Sequence, residues 1–126
     1  MAATPVPKAA PSHGSVEFTV VVRDQRGVTS IELAGELDLS TSSSFREAMV
    51  ALDLDGGLAV HMDLNRLTFL GSPGVGLIVS VCKRVRSSGG TFSVTCEEPG
   101  IRKTIEVAGL AEYLRLNEGS RTELEG

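Results

Sequence analysis

Between Leu58 and Ser88 the apolar residues change their spacing, and this junction restricts the chain more than any other stretch. Leu58, Val60, Met62 and Leu64 alternate with Ala59, His61 and Asp63, the two-residue period of a strand with one buried face. After a short connection, Val75, Ile78, Val79, Cys82 and Val85 recur at helical spacing, widened by Leu77 and Val81, to about Ser88. A strand that feeds an apolar helix stopped by Gly89-Gly90 is one unit of an α/β fold. Ser72 stands at the helix entrance, where serine is favoured as the N-cap and Pro73 suits the first helical position. Unpaired amides and a positive partial charge at such an entrance favour an anion attached to Ser72. Gly74 and Gly76 permit close approach of the backbone to the sheet or to a partner.

The same kinds of spacing flank this unit. Val16, Phe18, Val20 and Val22 alternate with Glu17, Thr19 and Val21, Asp24-Gln25-Arg26-Gly27 supplies turn chemistry, and Thr29, Ile31 and Leu33 mark one side of a strand over 28–34. The pair predicts a β-hairpin. Ser40 to Ser44 offer several N-caps, Ser44 with Glu47 fits a capping box, and Phe45, Ala48, Met49 and Leu52 follow helical spacing to about Leu54. Phe92, Val94 and Cys96 form one face of a further strand. Pro99 opens a third helix carrying Ile101, Ile105 and Ala108 and closed by Gly109. Lys83, Arg84 and Arg86 sit where they favour the negative end of the second helix. The whole predicts one α/β domain over 15–117, with a mixed, mostly parallel sheet of four to five strands opened by a β-hairpin. Because the strands alternate in polarity, the helices are expected mainly on one face. Residues 1–14, with Pro5, Pro7 and Pro11, read as a disordered Ala/Pro-rich leader, and 118–126 as a flexible tail.

With 126 residues, 41% of them hydrophobic, there is room for one core and not for two. Twelve basic against sixteen acidic residues, a formal charge of −4, supply no basic field for nucleic acid. The cluster Lys83, Arg84, Arg86 is too short for a polybasic membrane anchor. No run is long enough to span a bilayer, and residues 1–15 lack the apolar segment of a secretory signal, so a cytoplasmic address is expected. Cys82 and Cys96 lie on different elements, too far apart to pair, and read as small buried hydrophobes, with a redox switch as the minority reading. His13 falls in the leader and His61 inside a strand, and neither histidine has a nucleophile or metal-ligand spacing around it. The glycine-rich stretch 71–76 lacks both the Lys-Ser/Thr ending and the dinucleotide spacing of nucleotide-binding loops. A non-enzymatic binding protein without cofactor or metal is the expectation.

Gly71-Ser72-Pro73-Gly74-Val75-Gly76 resembles the phosphorylation loop, usually Asp-Ser-Ser-Gly-Leu-Gly, of the anti-sigma factor antagonist branch of the STAS family (sulfate transporter and anti-sigma factor antagonist). Ser72 falls on the serine those antagonists phosphorylate, and Gly74, Val75 and Gly76 on the Gly-Leu-Gly. Gly71 stands where the family usually has Asp, and Pro73 where it often has Ser. Gly35-Glu36-Leu37-Asp38 resembles a second family motif, whose loop lies beside the phosphorylation site. Residues 105–114 resemble the closing signature, a helix ending at Gly109-Leu110 followed by a short last strand. The resemblance implies an antagonist that binds an anti-sigma factor with ATP-dependent serine kinase activity, frees a sigma factor, and is switched off by phosphorylation at Ser72. A cognate phosphatase would reset it. It implies a partner surface made by Glu36, Asp38, Ser40, Thr41, Gly71, Ser72, Pro73, Gly74 and Val75, on a monomer or weak dimer. Read as residues alone, Glu36 and Asp38 serve equally well as solvated loop acids. A non-phosphorylated STAS scaffold or a small-ligand sensing module in stress signalling is the alternative function.

Overall fold

In the computed structural model, residues 3–7 and 18–118 are described. The predicted hairpin is formed by β2 (Phe18–Gln25) and β3 (Val28–Leu37), joined by a two-residue turn. Arg26 and Gly27 both take positive φ, 54° and 80°, the requirement of the tight turn whose twist matches the strands it joins. Phe18, Val20 and Val22 are buried from β2, as are Thr29, Ile31, Leu33 and Leu37 from β3.

From β3 the chain passes through one 3₁₀ turn (Leu39–Thr41) into α1 (Ser42–Ala51), then β4 (Ala59–Leu70), α2 (Ser72–Ser87), β5 (Thr91–Thr95) and α3 (Pro99–Val107). The first helix begins at Ser42, so Ser44 and Glu47 lie inside it and make no capping box. It also stops at Ala51, short of Leu54, with Leu52 extended. Its end is closed from outside: Arg84 of α2 donates to the carbonyls of Met49 (3.0 Å) and Leu52 (3.1 Å) and to Asp55 (2.9 Å).

The strand before α2 is longer than its alternation indicated. β4 continues beside β3 to Leu70, with register shifts opposite Glu32/Ala34 and Gly35/Glu36. Each shift inserts a residue on β4, so Leu64, Leu67 and Leu70 all point inward at intervals of three. Gly35, at φ 101°, supplies backbone that other residues rarely adopt at the bend.

The sheet order is β1-β2-β3-β4-β5, with two antiparallel pairings at the β1 side and two parallel pairings at the β5 side. The extra strand β1 (Ala3–Pro7) pairs with β2, so the disordered leader expected over 1–14 does not hold for these five residues. Pro5 and Pro7 lack an amide hydrogen and are tolerated in a strand at a sheet edge, where β1 lies. Residues 1–2 and 8–14 of that leader, including His13, lie outside the described residues, as do 119–126 of the expected tail.

One core joins the inward residues of β2–β5 to the buried faces of all three helices. On the other face Thr19, Ser30, Glu32, His61 and Ser93 remain half-buried, so the helices cover one side of the sheet. The expected closing strand is reduced to a single bridge, Val94 to Leu116. Beside it Asn117 imitates a strand neighbour: its amide side chain accepts from the Cys96 N–H at 2.9 Å and donates to the Cys96 carbonyl at 3.0 Å.

Candidate functional site

The paired ends of β3 and β4, Leu37 and Leu70, bring the 38–41 loop and the 71–72 loop side by side. The Gly71 N–H donates to the Leu37 carbonyl at 3.1 Å, fastening one to the other. In the first loop, the Thr41 hydroxyl donates to the Glu36 carbonyl (2.7 Å) and receives the Asp38 N–H (3.0 Å). Thr41 is buried by this role, and the expectation that it offers contact surface is not met. Glu36 and Ser40 are exposed, and Asp38 is half-buried.

Ser72 is not the N-cap. Gly71 occupies that position and its carbonyl accepts the Val75 N–H at 3.0 Å, while Ser72 is the first residue of α2 and Pro73 the second. The serine hydroxyl is therefore unused by the helix: Ser72 is exposed, and its side chain makes no hydrogen bond among the described residues. Pro73 is exposed beside it.

Gly74 and Gly76 divide the roles that close approach allows. A Cβ on Gly74 would meet the Leu37 carbonyl oxygen at 2.6 Å and Leu70 Cδ1 at 2.8 Å, so this glycine seats α2 against the sheet. A Cβ on Gly76 would meet nothing within 4 Å. Gly74 and Val75 are both buried, and Val75 reaches the surface only as part of the lining of a groove. A Cβ on Gly71 would come within 2.6 Å of Asp38 Oδ1 and 3.2 Å of the Phe69 ring. The Asp38 carboxylate thus lies over the residue preceding Ser72.

Apolar side chains that the sequence reading passed over are exposed on the elements at this end of the sheet. Leu39 is 73% exposed, Phe69 47% and Val107 75%. The available signals were Leu39 between two polar residues and Val107 lying off the Ile101/Ile105 face. Between α2 and α3 runs a groove of about 580 Å³ lined by Ser72, Val75, Lys103, Thr104, Val107 and Ala108.

Elsewhere the chemistry is quiet. His61 bridges β4 and β5, with Nδ1 2.7 Å from Ser93 Oγ and Nε2 2.7 Å from Thr95 Oγ1, so both ring nitrogens are engaged by hydroxyls. A polar hollow of about 670 Å³ beside it is lined by Asp24, Arg26, Ser30 and Ser93 among others, at the far end of the sheet from Ser72. Cys82 and Cys96 are free and buried, and burial pushes both thiols up. Among the described residues no three His, Cys, Asp or Glu gather as metal ligands, and no helix is long and apolar enough to cross a membrane.

A mixed sheet with helices on one face, and a free hydroxyl where strand four turns into the central helix, define the class. The family model described as Mlab, STAS domain matches residues 20–117, and the chain belongs to the STAS domain family. Within it, the chain is similar to proteins named as antagonists of anti-sigma factors. It is 32% identical over 99 residues to the anti-sigma-F factor antagonist RsfB of Mycobacterium tuberculosis, covering 79% of this chain and 80% of that protein. It is 26% identical over 93 residues to the anti-sigma-B factor antagonist of Staphylococcus epidermidis, covering 74% of this chain and 86% of that one. The crystal structure of an anti-sigma factor antagonist from Mycobacterium paratuberculosis superposes with a TM-score of 0.72 at 29% identity, over 86% of this chain and 88% of its own.

Proposed function

We propose that the protein is an anti-sigma factor antagonist whose docking surface is built around Ser72 and switched by phosphorylation there. The observation that carries this reading is the exposed Ser72 hydroxyl, without a hydrogen bond among the described residues, on a groove it shares with Val107 and next to Gly71, which Phe69 approaches. Unmodified, the surface offers apolar anchors of the kind that dominate binding energy, with Glu36 and Asp38 at their side. An anti-sigma factor seated on it releases its sigma factor.

The anti-sigma factor is itself an ATP-dependent serine kinase. Ser72 Oγ attacks the γ-phosphorus of ATP, the bond to the β-phosphate oxygen breaks, ADP leaves, and the hydroxyl proton passes to a base of the kinase. The product adds roughly −1.5 to −2 charges at pH 7 inside the contact surface. A penalty of only about 2.8 kcal/mol, modest for a dianion losing its water, weakens binding a hundredfold. A phosphatase restores the hydroxyl and the affinity with it.

The test is incubation with the cognate kinase and ATP, followed by mass spectrometry of the peptide containing residue 72. One phosphate is expected on wild type and none on Ser72→Ala. Undiminished phosphorylation of the alanine variant would place the switch elsewhere. Ser72→Glu should bind the partner at least tenfold more weakly than wild type, and equal binding would refute release by charge.

A further inference from the structure

Ser72 has an acid on one side and a base on the other. Over Gly71 lies the Asp38 carboxylate, and Glu36 is exposed on the same loop. Across the α2–α3 groove lies Lys103, exposed and without an ion pair or hydrogen bond among the described residues. Its neighbours on α3, Arg102 and Glu106, pair with each other at 3.4 Å and do not line the groove.

We infer that a phosphate on Ser72 is drawn across this groove onto the Lys103 ammonium and away from Asp38, closing the groove as it does so. The inference rests on the reading of Ser72 as a phosphorylation site and adds what the phosphate does within the domain. Reach permits it. Ser72 and Lys103 line the same groove from α2 and α3, and a lysine on its four-carbon stem extends roughly 6 Å into it. Direction follows from sign, since the dianion is repelled by the carboxylate lying over residue 71 and attracted by the ammonium of the lysine that shares its groove. The amides at the start of α2 add to the attraction without fixing its side.

The consequence for binding is a change of shape as well as charge. In the unmodified protein the groove is open, with Val107 largely exposed on its rim and Val75 at its floor. Bridged by phosphate and ammonium, it no longer admits a partner's side chain. Phosphorylation thereby removes an apolar recess in addition to placing a dianion on the surface.

The experiment installs phosphoserine at position 72 during translation, with no kinase involved, and follows its ³¹P resonance against pH at low salt. A free phosphoserine loses its second proton near pH 6. A nearby ammonium lowers that midpoint, so Lys103→Gln should raise it by about half a pH unit, Lys103→Arg should leave it near the parent value, and Asp38→Asn should lower it. Identical midpoints for the parent and Lys103→Gln would overturn the bridge. Because the phosphate is installed directly, failure of a kinase to modify Ser72 refutes only the phosphorylation reading, and identical midpoints alongside active phosphorylation refute only the bridge.

Discussion

Replacing Gly74 and Gly76 by alanine, one at a time, is expected to move stability in opposite directions although the two glycines are neighbours in one helix. A methyl at 74 enters a space already filled: the Leu37 carbonyl oxygen at 2.6 Å, Leu70 Cδ1 at 2.8 Å and Leu37 Cγ at 2.9 Å. Two of those contacts belong to a residue fixed in the sheet, so α2 must lift. Overpacking of this kind costs about 1–3 kcal/mol, and three sub-contact distances put this site in the upper half of that range. Alanine returns up to about 1 kcal/mol of helix propensity, leaving a net loss of about 1–2 kcal/mol. At 76 there is no such collision, so the propensity gain stands alone and the fold is stabilised by about 0.5–1 kcal/mol. Urea unfolding at constant m-value reads both, as does a melting temperature that moves by several degrees per kcal/mol in a domain of this size. If Gly74→Ala stabilises as Gly76→Ala does, the seating of the helix on Leu37 is not what the glycine is for. The second variant carries its own counter-test: residue 76 lies one turn from Ser72 on the same helix face, so the stabilised protein should bind its partner more weakly.

The remaining expectations are simpler. Leu39→Ala, at a side chain 73% exposed, should leave the urea midpoint unchanged while weakening partner binding at least fivefold in a calorimetric titration; unchanged affinity would remove Leu39 from the docking surface. Arg84→Gln opens the end of α1 and should cost about 1–2 kcal/mol in the same urea assay, since two carbonyls lose a charged donor. Asp55 is held below the ordinary aspartate value by its hydrogen bond from Arg84. Its stabilisation is therefore complete above the unfolded pKa near 4 and lost as pH falls through the lower folded value, and the acid limb of the stability profile should flatten in Arg84→Gln. The two thiols are shifted the other way, so the native fold keeps them protonated and begins to lose stability only above the unfolded thiol pKa near 8.5. An aromatic disulfide reagent at pH 8 should label Cys82 and Cys96 only on unfolding, and rapid labelling of the native protein would contradict their burial.

The elements were legible wherever one face of a segment is apolar: β2, β3 and β5 bury the described residues their periodicity singles out, α2 does so except for half-buried Val79, and α3 does so at Ile101 and Ile105, while Ala108 is exposed just past its end. Legibility failed where contact across the sheet overrides period. Leu64, Leu67 and Leu70 face inward only because β4 bulges against β3, and no spacing in β4 itself records a partner's register. Ser72 illustrates a subtler miss: its residue type is right for a cap, but the Gly71 N–H is held by Leu37, and the helix starts one residue earlier than local preference alone suggests. Arg84 reads locally as a dipole partner for its own helix, while in space its guanidinium serves another helix 32 residues earlier at Leu52. The site divides the same way. Ser72 and the acids of the 36–38 loop could be found from their motifs, whereas Lys103 and Val107 join them only through the docking of α3.

Both flanks of the sheet carry features that hinder pairing with further strands. On one side Pro5 and Pro7 present no amide hydrogen to a newcomer, and on the other Asn117 already satisfies the backbone of Cys96 with its side chain. Fibre-like growth by edge pairing is thereby suppressed, even with Leu39, Phe69 and Val107 left uncovered at one end. The sticky part of the molecule is thus confined to a cap, and a domain that must wait, unoccupied, for a partner to arrive stays dispersed while it waits.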